Sequence, residues 1–171
     1  VIEHRMLYKT KSKINIEGAV PSLTKVSSGN NLTICSISHM TLECQKVTDA
    51  LSKQAIGCDH FSLVNHSELK LIPLLKSSIK TGSVLLVDHG WLNCSIATSI
   101  AHFLRENGYK GNLKVLGYAE SPCPTSHVLE NFFYPTASSI LTSAFELLNL
   151  PISDSATLPI SNELVSFKGP F

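Results

Sequence analysis

Apolar positions along the chain alternate between short consecutive runs and residues spaced by three and four, the two periods of strand and helix. Residues 32–37, LTICSI, form a short β-rich run. Met40, Cys44, Val47, Leu51 and Ala55 then step by three or four, and Gly57 follows, as in an amphipathic helix with a glycine just past its end. The unit repeats. DHFSLV at 59–64 is strand-like, and Leu71, Leu74, Leu75 and Ile79 line one face of a helix stopped at Gly82, with Pro73 in its first turn. VLLVD at 84–88 is a continuous apolar run of the kind buried on both faces of a parallel sheet. Ile96, Ile100, Phe103 and Leu104 mark a helix ending near Gly108, and NLKVLG at 112–117 is the next strand. After a proline-rich turn, SPCPTS, comes a short helix at 127–130; Pro135 precedes a last helix carrying Ile140, Leu141, Ala144, Leu147 and Leu148.

The two ends of the chain lack a sustained period. Residues 1–29 read as a linker with one short strand, and the stretch from Asn149 onward, with three prolines, reads as an extended tail lying on a surface. Strands alternating with helices across short loops predict right-handed crossovers. The expected fold is a three-layer α/β/α sandwich with a mostly parallel sheet of about five strands. The expected divisions are 1–30, 31–150 and 151–171.

A chain of 171 residues can bury a core without disulfide staples. Its net charge of +1, with acids and bases interspersed, gives no basic stripe, so nucleic acid is not an expected partner. No apolar run approaches the roughly 20 residues of a membrane span. The five cysteines are odd in number and form no CxxC pair, which suits a reducing compartment, the cytoplasm or an organelle matrix.

The stretch VLLVDHGWLNCS, 84–95, raises the question of catalysis. Cys94 is placed at or near a helix N-terminus, where a thiol becomes more acidic, and His89 is close in sequence. Asp88 and His89 are adjacent, however, and in an extended backbone they point to opposite sides. Cys94 is a candidate nucleophile set against a small buried cysteine. The seven histidines include no HxxxH or HExxH pattern, and no glycine-rich phosphate cradle follows the strands. The composition is that of an α/β enzyme body without a convincing catalytic set.

The series SSIKTGSVLLVDHGW and KVLGYAESPCPTSHVLENFFYPTASSILTSAFELL resembles the C-terminal domain of the transketolase family. Within that family the likeness is to the beta subunit of the thiamine-diphosphate-dependent decarboxylating component of 2-oxo acid dehydrogenase complexes, of the pyruvate or branched-chain kind. The opening VIEHRMLY is similar to the last strand and exit of the preceding pyrimidine-binding domain.

The resemblance implies that Asp88 and Gly90 form the acid-glycine turn from strand into helix, and that catalysis lies elsewhere. No residue of this chain is expected to be catalytic, cofactor-binding or metal-binding; thiamine diphosphate and magnesium belong to the other domains of the implied enzyme. This domain's implied work is assembly, as homodimer or heterotetramer, with an alpha subunit or the preceding domains and with the subunit-binding domain of the acyltransferase core. Trp91, Phe132, Phe133, Tyr134 and Phe167 are the anchor candidates, aromatic residues being common in cores and interfaces alike. The alternatives are a transketolase or acetoin dehydrogenase relative, or a stand-alone α/β binding module.

The chain also departs from the family pattern. Val64-Asn65-His66 and Leu71-Ile72-Pro73 stand where Asp-Leu-Arg and Leu-Lys-Pro-Leu are usual, WLNCS replaces a glycine-rich helix entry, and the sequence continues past the last helix.

Overall fold

The computed structural model describes residues 4–8, 11, 21–65 and 70–151. Five strands, β1 (Leu23–Ser27), β2 (Leu32–Ile37), β3 (Cys58–Leu63), β4 (Ser83–Trp91) and β5 (Asn112–Tyr118), form one sheet in the order β1-β3-β2-β4-β5. The pairs β2–β3, β2–β4 and β4–β5 are parallel, and β1 runs antiparallel to β3. The helices are α1 (Met40–Ser52), α2 (Ile72–Thr81), α3 (Ile96–Glu106), α4 (His127–Phe133) and α5 (Ala137–Leu147).

Alternation within each strand separates two cores. Leu32, Ile34, Leu85 and Val87 pack with α1 and α5 residues such as Val47 and Ile140 on one face. Cys35, Ile37, Val84 and Leu86 pack with Leu71 and Leu74 beside α2 and with Ile100 and Leu104 of α3 on the other. The sheet is therefore covered on both sides, as a largely parallel sheet requires, and the three-layer α/β/α sandwich is the observed architecture.

Local chemistry explains where the elements stop. Gly82 ends α2 in the left-handed region (φ 71°), and its N–H donates to Ser78 O. Ser95 caps α3 by accepting from the Thr98 N–H at 3.1 Å. Thr136 and Ser139 form a reciprocal capping box at α5.

Three expectations need correction. Helix α1 stops at Ser52 and does not include Ala55; Ala55 takes the left-handed turn (φ 61°), and the Ile56 N–H donates back to Leu51 O. Gly57 serves a different contact, since a Cβ on Gly29 would fall 2.1 Å from its carbonyl carbon. The stretch 1–29, read as a linker with a short strand-like start, contributes β1 at its far end, in which Leu23 and Ser27 are the partly covered positions. Finally, Gly90 is not in a turn. It lies inside β4, which runs three residues beyond Asp88 to Trp91 before the 3₁₀ turn Leu92–Cys94.

Candidate functional site at the carboxyl edge of the sheet

From β2 the chain crosses to β3 through α1 on one face, whereas β4 leads to β5 through α3 on the other. The switch point therefore lies between β2 and β4, and the crevice at their carboxyl ends is where open α/β sheets gather ligands. His39 stands just past β2, after Ser38 in the left-handed region (φ 56°), a tight turn that passes the strand directly into α1. His89 lies near the end of β4.

A bulge aims His89. Val87 pairs with Leu116 but Trp91 pairs with Tyr118, so residues 88–90 face a single residue, Gly117, across the ladder. Asp88 points to the α3 side, buried, with Oδ2 accepting the Ala97 N–H at 3.3 Å. A carboxylate there suits the positive end of the helix. His89 turns to the opposite side and to the edge. The glycine that this arrangement demands is Gly117: a Cβ on it would lie 2.6 Å from Gly90 O, whereas one on Gly90 would meet nothing closer than 3.7 Å.

The N-terminal 3₁₀ turn Arg5–Leu7 brings His4 into the crevice. Its Nε2 lies 3.2 Å from His89 Nδ1, and its ring stacks on His39 at 5.0 Å between centroids. His89 Nδ1 is also 3.0 Å from the Tyr118 hydroxyl, and the His89 ring stacks on Tyr134 at 5.3 Å. Both contacts meet at Nδ1 of His89, and which partner donates in each is set by the tautomers of the two rings.

Burial, reinforced by His4 and His39, pulls His89 down to about 4, and burial lowers His4 as well. Burial, with Asp88 and Cys123 adding to it, pushes the Tyr118 hydroxyl up. A hydrogen bond with Cys123 at 3.4 Å, together with burial, raises Tyr134. These shifts keep His4, His89 and both tyrosines uncharged near neutrality. The arrangement is suited to packing and recognition. Among the described residues no group of three His, Cys, Asp or Glu side chains is arranged to hold a metal ion.

Around this cluster lies an aromatic layer. Trp91 meets Tyr118 at 5.9 Å and Phe133 at 5.4 Å, and Phe133 meets Tyr134 at 4.9 Å. Phe133 is only 4% exposed, so it closes the core and is no anchor for another chain. Phe132, one residue earlier on α4, is 80% exposed, and Trp91 is 47% exposed. Val128 and Leu129 extend the same apolar surface along α4. Tyr134 is half-buried against His89, and Phe167 lies outside the described residues.

Cys94 is exposed in its 3₁₀ turn, and Ser95, not Cys94, caps the following helix. The nearby imidazole of His89 makes its contacts with Tyr118 and His4, both at Nδ1. All five cysteines are free, and burial pushes the thiols of Cys35 and Cys58 up to about 12. Sequence reasoning counted seven histidines but did not bring His4, His39 and His89 together, and it passed over Tyr118. The available signal was positional, because His39, His89 and Tyr118 each lie at the carboxyl end of a strand.

The amino edge carries a different cluster. Asp59, buried at the start of β3, accepts from Lys25 Nζ at 2.7 Å, Lys80 Nζ at 2.6 Å, Ser77 Oγ at 2.7 Å and the Gly29 N–H at 3.2 Å. A shallow trough of about 630 Å³ near Lys110 and Asn112 has its other cationic heads already engaged. Arg105 donates to the carbonyls of Tyr109 and Gly111, and Lys114 pairs with Glu146.

Comparison with known proteins agrees with this architecture. The beta subunit of acetoin:2,6-dichlorophenolindophenol oxidoreductase from Bacillus subtilis (strain 168) is 26% identical over 156 residues, covering 84% of this chain and 46% of the relative. The beta subunit of the mitochondrial pyruvate dehydrogenase E1 component from Ascaris suum is 26% identical over 161 residues, covering 87% and 44%. The chain thus spans a little under half the length of these relatives. Among solved structures, a split-gene transketolase described as an inactive beta4 tetramer superposes with a TM-score of 0.68 at 16% identity, over 75% of this chain and 42% of that one. The family model described as transketolase, C-terminal domain, matches residues 22–140, from just before β1 into α5, and the chain belongs to that family.

Proposed function

We propose that this chain supplies the third, non-catalytic domain of a thiamine-diphosphate-dependent beta subunit and that its work is assembly. The observation that carries this reading is the family match over residues 22–140 together with relatives that are beta subunits of oxidoreductases. The surface of Trp91, Val128, Leu129 and Phe132 supplies the physical means, as apolar anchors at the carboxyl edge beside the polar groups of Glu120 and Glu130. Its occupant in this reading is a second copy of the domain. Docking to an acyltransferase core would be a further contact of the whole subunit. In this reading the described residues hold neither thiamine diphosphate nor magnesium, and the switch-point crevice takes His4 against His89 instead. The cofactor and the oxidative decarboxylation are assigned to other domains of the whole enzyme. A reducing compartment, cytoplasm or matrix, suits the exposed thiols.

The test is the mass of the purified chain by light scattering across micromolar concentrations. A dimer or larger species is expected, and Phe132→Glu should convert it to monomer with an unchanged circular dichroism spectrum. A wild-type chain that stays monomeric throughout would overturn the pairing. Acetoin is a second substrate reading, favoured by two relatives that are acetoin oxidoreductase beta subunits. Assay of the assembled enzyme with pyruvate, branched-chain 2-oxo acids and acetoin separates the two.

A further inference from the structure

The crevice at the switch point, where a sheet of this topology ordinarily receives a ligand, is occupied by a side chain of the same protein. His4 and His89 are 85 positions apart in sequence, yet their nitrogens are 3.2 Å apart, and His39 completes the group by stacking on His4. The His39 and His89 rings face each other at 6.1 Å. Three imidazoles thus come from three separate stretches of chain, the N-terminal segment, the β2–α1 junction and the bulged end of β4.

We propose that His4, His39 and His89 form a proton-operated latch, which holds the segment of residues 4–8 on the carboxyl edge while the rings are neutral and releases it when they take up protons.

The groups facing the latch support this behaviour. Tyr118 from β5 and Tyr134 from beyond α4 present neutral hydroxyl and ring surfaces to His89. Cys123 lies behind Tyr134, and Glu130 acts on Tyr134. Asp88, the nearest carboxylate on the same strand, turns to the opposite side and spends an oxygen on the Ala97 N–H. Arg5 on the segment itself is exposed and adds positive charge near the edge. A second positive charge in the cluster meets the first, and repulsion acts between the His4 and His89 rings at 4.8 Å. The sign follows from linkage. His4 and His89 are held below the ordinary histidine value of 6.5 when docked. Docking is accordingly strongest above that value and is lost as pH falls from 6.5 toward about 4, where docked His89 itself takes up a proton. The population of released segment should rise by about tenfold per pH unit for each extra proton bound.

Nitrogen-15 relaxation of the full chain at pH 7.5 and pH 5.0 tests this, with the Arg5, Leu7 and Tyr8 amides compared with those of β4. At pH 7.5 the segment should be as rigid as β4. At pH 5.0 it should move freely while the β4 amides keep their shifts. In His89→Phe, which keeps a ring against Tyr134 but cannot titrate, the difference between the two pH values should shrink severalfold. His4→Gln provides the same test should the first variant fail to fold. A segment equally rigid at both pH values, a loss of β4 order in step with it, or an unchanged pH response in the variants would overturn the latch.

Discussion

Asp59 and His60 are neighbours in β3, and both bind a proton less readily in the folded chain than in the unfolded one, over different pH ranges and for different physical reasons. Burial alone would raise Asp59, but the hydrogen bonds from Lys25, Lys80, Ser77 and the Gly29 N–H hold its carboxyl well below the usual range. Its contribution to stability is present above the unfolded value near 4 and is lost only as pH falls further. Replacing one buried, multiply bonded carboxylate in Asp59→Asn should lower the unfolding free energy by about 2 kcal/mol at pH 7, measured in urea. His60 is fully buried, with Nε2 at 2.7 Å from Ser36 Oγ and with no partner for Nδ1 among the described residues. Burial lowers it to about 4, so its neutral form is favoured by folding. That stability is complete above about 6.5 and drains away as pH falls to about 4. In His60→Met, the slope of stability against pH in this window should decrease by at most about 1.4 kcal/mol per pH unit. An unchanged slope would remove His60 from the acid response.

At the scale of elements, the bulge of β4 against β5 decides what the carboxyl edge presents. It depends on Gly117, where a methyl group would press on Gly90 O at 2.6 Å and on Leu92 Cδ2 at 3.2 Å. Gly117→Ala should cost about 1–3 kcal/mol and shift the His89 and Tyr118 resonances, whereas Gly90→Ala has room for its methyl group. A milder effect at 117 than at 90 would contradict this geometry. The core strands and their crossing helices were legible in sequence because each apolar run is doubly buried and each helix has one apolar face. The bulge was not legible: VLLVDHGW carries no local sign that three residues will face one. Strand β1 was equally hidden, because LTKVS is an edge strand whose polar face meets water and whose apolar content is small. The histidine cluster escaped because its members are joined only by the topology, and spacing rules for single elements do not reach across it.

For the whole molecule, the apolar surface of Trp91 and α4 and the three-histidine latch occupy the same edge of the sheet, whereas the Asp59 ion pairs lie at the other. Assembly and the N-terminal segment are therefore neighbours, and the dimer proposed above should be assayed at pH 7.5, where the latch is closed. Among the described residues no helix is long and apolar enough to cross a membrane.

The antiparallel course of β1 has a practical consequence. Because Leu23 pairs with Leu63, the chain enters β1 at the carboxyl edge. Helix α5 runs the same way: it starts beside Tyr134 and ends where Leu147 O accepts from Ser83 and Asn112 at the heads of β4 and β5. Pro151 is thus delivered to the amino edge. An affinity tag or reporter fused after Pro151 departs from the face opposite the latch and the aromatic surface, but one fused ahead of His4 is carried straight to them.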